Sequence, residues 1–108
     1  MKTYDKILKE TIKEMKILSL LKPSFVVLEV YLGFAFKFLE DLKTYNTSLY
    51  EEFQELLKDF SFTKETYLIE EANQKNYIDK WNNFCTTFIE ALVCELVGID
   101  RNLIKKYS

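Results

Sequence analysis

Seven carboxylates fall close together in the middle of the chain, at Glu51, Glu52, Glu55, Asp59, Glu65, Glu70 and Glu71. Clustered carboxylates can hold a metal or work as an acid–base pair. Here neither reading finds its usual supporting residues. The chain has no His, whereas helical di-iron sites add a Glu-x-x-His pair from each of two helices. A calcium loop needs an Asp-rich segment bent at a glycine, which is also missing. The acids instead suggest a surface that meets a basic partner, with Tyr50 and Tyr67 as aromatic anchors beside Glu51, Glu52, Glu55 and Asp59. A plain solvated face is the simpler account of the same residues.

A second pattern is basic. Lys2, Lys6, Lys9, Lys13 and Lys16 recur at spacings of four and three, which puts five ammonium groups along one side of a helix. Such a row could meet phosphates, lipid headgroups or an acidic protein. Glu10 and Glu14 lie along its edge, and a solvated outer face again explains it without a partner. Arg101 is the single Arg in the chain, and no aromatic residue lies within the row for base stacking. Both facts argue against nucleic acid.

The thiols come third. Cys85 and Cys94 stand nine positions apart, so on one helix they point to opposite sides and cannot bridge. Cys85 sits among Trp81, Phe88, Ile89 and Leu92 and reads as a core filler. Cys94 falls in a strip of small or short side chains, Thr87, Ala91, Cys94 and Gly98. Such a strip allows a second helix to approach closely, from within the chain or across a homodimer. Without His, neither thiol has its usual activating base. Two free thiols, with a lysine every few residues from Met1 to Leu21 in place of a signal peptide, suggest a reducing cytoplasm.

These residues must be carried by something, and the periodicity is helical. With 108 residues, 48% of them hydrophobic and 30% charged, the chain has material for one domain with a real core. Two Gly and one Pro leave no glycine-rich phosphate cradle and room for few loops. Tyr4, Ile7, Leu8, Ile12, Met15 and Leu18 predict a helix over Thr3 to Leu21, ended by Lys22-Pro23. Ser24 would cap a second helix, Phe25 to Leu42, which is apolar nearly all round. It falls short of a transmembrane span and predicts a central helix covered by its neighbours. A strand pair kinked at Gly33 competes with that reading.

Ser48 and Glu51 have capping-box spacing for a third helix carrying Leu49, Phe53, Leu56, Leu57 and Phe60. Ser61-Phe62-Thr63 reads as a corner, with Thr63 capping the next start. From Lys64 a helical pattern runs to Leu96, and the polar stretch Asn73 to Asn76 suggests a break or kink. Gly98 fits a left-handed C-cap, with Ile99 folding back. Asp100 would cap a last short helix bearing Leu103, Ile104 and Tyr107.

The fold expected is therefore all-α: one compact bundle of four to five helices around residues 25–42. Net charge is −2, spread unevenly. Residues 1–22 sum to +3, residues 46–97 to −6 and the last eleven to +2, giving basic ends and an acidic middle. Aromatics make up 16%. Tyr45, Tyr50, Tyr67, Tyr77 and Tyr107 fall at helix edges or loops, where partial exposure would suit an interface. The composition implies no cofactor, no metal and no catalysis. It suits a small cytoplasmic protein-binding module, such as an inhibitor, immunity or accessory protein from a bacterium or mobile element, that occludes a basic surface. A nucleic-acid-binding regulator using the lysine row, and a peripheral membrane protein lying on anionic lipid, are the alternatives.

Overall fold

In the computed structural model the backbone is described for residues 3–21, 27–66 and 71–101, and side chains for residues 3–21, 27–58 and 78–101. Four helices follow one another: α1 (Tyr4–Leu20), α2 (Leu28–Leu42), α3 (Thr47–Thr66) and α4 (Glu71–Val97). Among the described residues there is no strand, which disposes of the extended alternative at Gly33. The all-α bundle is the fold.

Thr3 starts α1 as its N-cap, its hydroxyl oxygen accepting a bond from the Lys6 amide at 3.3 Å. The inward face is Ile7, Leu8, Thr11, Ile12, Met15 and Leu18, the stripe that the spacing predicts with Thr11 added and Tyr4 only half-buried. Each fully buried aliphatic side chain there contributes about 1.5–3 kcal/mol. Leu20 and Leu21 lie exposed at the end.

The second helix begins at Leu28, with Val27 in a turn before it and no side-chain cap. The expected cap Ser24 and start Phe25 lie outside the described residues. Leu28, Leu32, Ala35, Leu39 and Leu42 are buried, one stripe along one side. The opposite side is open, with Val30 56% and Phe34 45% exposed. An apolar composition all round is thus matched by burial on one side only.

Asn46, not Ser48, caps α3. Its side-chain oxygen accepts from the Leu49 amide at 3.0 Å, so Ser48 lies inside the first turn and the Ser48–Glu51 capping box is not the device used. The corner expected at Ser61-Phe62-Thr63 is also absent, because α3 runs on to Thr66. Ser and Thr lower helix propensity only modestly, and no Gly or Pro stands there to end the helix. The same reason removes the break expected near Asn76. Residues 71–97 form one helix of 27 residues, and Asn73 to Asn76 cost it tenths of a kcal/mol each, not the several that proline would.

Gly98 closes α4 in the left-handed conformation with φ +77°. The Ile99 amide then reaches back to the Cys94 carbonyl at 2.9 Å, the long bond of a Schellman turn. The last short helix expected around Leu103, Ile104 and Tyr107 lies outside the described residues.

The core is built on α4. Trp81, Cys85, Phe88 and Leu92 are fully buried. Phe53 of α3 packs between Phe84 and Phe88, with ring centroids 6.0 and 4.9 Å away. Tyr31 of α2 meets Trp81 at 6.1 Å. Among the described residues, α1 and α4 make the broadest contact between helices. A radius of gyration of 14.4 Å lies near the roughly 13 Å of a compact domain of this length.

Candidate functional site

The acidic residues fall on the outer side of α3. Glu51, Glu52 and Glu55 are all exposed, and their spacing puts them within about a third of the helix circumference. Leu56 lies beside them, 47% exposed. Lys58 is exposed two turns beyond Glu51 and one turn beyond Glu55 and tempers their charge. Glu52 is paired with Arg101, whose guanidinium also stands over the Phe53 ring at 5.5 Å. The side chain of Asp59, and Tyr67 entirely, lie outside the described residues.

Tyr50 does not join this surface. It is buried, and its hydroxyl donates to Glu40 Oε1 at 2.9 Å while accepting from Gln54 Nε2 at 2.8 Å. The hydrogen bond to Glu40, then burial, raises its pKa above the usual value of 10.0. Lys43 Nζ sits 5.3 Å from its ring centroid. The expected interface anchor is therefore a joint between α2 and α3. Tyr45 keeps part of the expectation, at 40% exposed.

The lysine row forms as the spacing predicts. Lys6, Lys9, Lys13 and Lys16 are all exposed on α1, and Lys2 lies outside the described residues. What the spacing could not reveal is the company this row keeps. An open cleft of about 670 Å³ between α1 and α2 is lined by Glu10, Lys13 and Glu14 from one helix and Lys37 and Asp41 from the other, over Ile7, Thr11 and Phe38. Two ammonium groups and three carboxylates share it, so it is no anion trap.

The strip of small side chains is split. Ala91 and Cys94 are buried and Thr87 and Gly98 exposed. The buried pair borders a small cleft of about 230 Å³, with Asn46, Ser48 and Leu49 from the start of α3. Its central residues therefore serve packing within the chain, and Cys94, at 3% exposed, is not an accessible thiol. Cys85 is fully buried as a core filler, and desolvation pushes its pKa up to about 12.

One cluster escaped the sequence altogether. Tyr4 Oη donates to Glu95 Oε1 at 2.9 Å, while Asn46 Nδ2 donates to the same carboxylate oxygen at 3.0 Å and to Tyr4 Oη at 3.3 Å. Tyr45 stacks on Tyr4 with ring centroids 5.4 Å apart and planes 3° from parallel. Burial, more than the Glu95 contact, raises the Tyr4 pKa to about 12, with Asn46 pulling the other way. The cluster ties the start of α1, the start of α3 and the end of α4 into one polar clasp. Nothing in the spacing of Tyr4, Asn46 and Glu95 announces it, since each looks like an ordinary helix residue or cap.

Among the described residues, no group of three or more His, Cys, Asp or Glu side chains could hold a metal ion. Nor is any helix among them long and apolar enough to cross a membrane. Known protein families, curated proteins and solved structures offer no match to the chain.

Proposed function

We propose that this protein is a small non-enzymatic binding module that covers a basic surface of another protein, in the manner of an inhibitor, immunity or accessory protein of a bacterium or mobile element. One observation carries the reading: Glu51, Glu52 and Glu55 stand exposed along one arc of α3, with a half-exposed Leu56 at its edge. α3 is held from beneath by Phe53 and Leu57 in the core. A rigid acidic face with an apolar side chain at its border suits electrostatic steering followed by desolvation of that border. The mechanism is occlusion, and no bond is made or broken.

Affinity capture from the source organism, with the wild type beside a Glu51→Lys, Glu55→Lys variant, tests it. A protein retained by the wild type, lost by the variant and released as salt rises is the expected result. Retention indifferent to the charge reversal, or no selective retention at all, refutes the acidic face as the binding surface.

The exposed row Lys6, Lys9, Lys13 and Lys16 favours a second reading, contact with an anionic partner through α1. A salt series on DNA and RNA, and sedimentation with anionic vesicles, separate its two forms. Absence of nucleic-acid binding even near about 50 mM salt removes the first, and indifference to anionic lipid removes the other.

A further inference from the structure

The floor of the cleft between α1 and α2 holds a polar group that the fold itself does not use. Thr11 lies there with Ile7 and Phe38, and it is buried, at 4% exposed. Hydroxyls on helices commonly bond the carbonyl four residues back. Thr47 donates in this way to the Lys43 carbonyl at 3.2 Å, and Thr86 to that of Asn82 at 3.0 Å. The Thr11 hydroxyl does not, and among the described residues it has no hydrogen-bond partner. A buried hydroxyl left without a partner destabilises, and this one borders an open space of about 670 Å³.

The charges of the rim are arranged by sign. Tyr4 stacks on Tyr45, so α1 and α2 run antiparallel in a register that brings Lys13 about level with Lys37. Glu14 borders this end of the cleft, and Glu10 and Asp41 lie about a turn away at the other. Glu10 already interacts within the chain. Lys13, Glu14, Lys37 and Asp41 make no ion pair among the described residues. Lys37 and Asp41 even have the spacing of a helical ion pair without forming one. A lone anion meets three carboxylates here, and a lone cation meets two ammonium groups. A molecule carrying both charges, about a turn apart, satisfies both ends.

We infer that this cleft binds a zwitterion of dipeptide size. Its carboxylate lies between Lys13 and Lys37, its ammonium at Asp41, its amide on the Thr11 hydroxyl and its apolar side chains on Ile7 and Phe38. Length selects the class. The rise from Lys37 to Asp41 is about 6 Å, and an extended dipeptide holds its terminal groups about 7 Å apart. A free amino acid carries both charges on one carbon and reaches only one end. The cleft volume also falls within the usual range for small-molecule sites, about 300–1,000 Å³. The site uses neither the acidic face of α3 nor, apart from Lys13, the lysine row, so it stands or falls independently of the proposed function.

Titration of the full chain with the dipeptide Leu-Phe, followed through its backbone amide resonances by NMR, tests this. A dissociation constant of about 0.1–1 mM is expected for an open cleft, with the largest shifts in residues 7–14 and 37–41. N-acetyl-Leu-Phe, which lacks the ammonium, and Leu-Phe amide, which lacks the carboxylate, should each bind about fivefold more weakly or worse. Phenylalanine alone should also bind more weakly than Leu-Phe. Asp41→Asn should remove the advantage of Leu-Phe over its acetylated form, and Lys37→Gln should reduce its advantage over the amide. Thr11→Val should weaken binding by about threefold or more, yet leave the unfolding midpoint of the free chain unchanged or raised, because the hydroxyl it removes is unpartnered there. No saturable shift up to about 10 mM Leu-Phe overturns the inference. So do equal binding of the blocked forms, tighter binding of putrescine than of Leu-Phe, or a Thr11→Val chain that loses stability and keeps its affinity.

Discussion

Asn46 holds more together than any other polar side chain described. Its oxygen caps α3 while its nitrogen serves Tyr4 and Glu95, so the two ends of one amide join three helices. Asn46→Ala removes both and should cost about 1–2 kcal/mol in urea unfolding. Asn46→Asp is the sharper comparison. It keeps the capping oxygen but sets a second carboxylate against Glu95, so it should also destabilise near neutral pH and recover as the acids are protonated. A second residue-scale expectation concerns alkali. Cys85 and Tyr4 have pKa values raised from 9.0 and 10.0 to about 12 in the folded chain. Groups whose folded pKa lies above the unfolded one bind their proton more tightly when folded. Their contribution is complete below about pH 9 and lost as pH climbs towards 12. The midpoint of thermal unfolding should therefore fall through that window. In the same spirit, a thiol reagent at pH 8 should find both cysteines silent in the native chain and both reactive in denaturant.

At the scale of the helix, the two glycines make opposite predictions from the same substitution. Gly33 sits mid-helix with open space around it, so Gly33→Ala should stabilise the chain by about 0.5–1 kcal/mol. Gly98 holds φ +77°, where a Cβ is crowded, and Gly98→Ala should cost about 1–2 kcal/mol. These two residues also mark what the sequence could convey. Gly98 was legible because a left-handed cap after a long apolar period has few other readings. The inward face of α1 was legible because Ile7, Leu8, Ile12, Met15 and Leu18 leave one phase open to the helix. Asn46 against Ser48 was not, since three capping residues stand in a row and only the packing of α2 on α3 selects among them. The corner at Ser61 and the break at Asn76 failed because polar residues of moderate propensity do not stop a helix that gains by continuing. Tyr50 failed for a related reason: an aromatic at a helix start has no sign of whether it faces outward until Glu40 and Gln54 are brought beside it.

At the scale of the molecule, the seam between α1 and α4 is the broadest among the described residues. Leu8 is fully buried and Ile17 is 42% exposed on the same helix. Leu8→Ala should cost about 2–5 kcal/mol, while Ile17→Ala should stay within about 0.5 kcal/mol. Equal losses would contradict the packing described. The clasp of Tyr4 on Glu95 spans 91 positions of sequence, and that distance has a consequence for the chain as it is made. At 5–20 residues per second, roughly 4–15 s separate synthesis of the end of α1 from that of the end of α4. For much of that interval the apolar stripe of the first helix has α2 beside it but lacks α4, its broadest mate, and nascent helices with partly bare stripes are prone to clump. The four ammonium groups along its back would, by mutual repulsion, oppose that clumping until the last helix arrives.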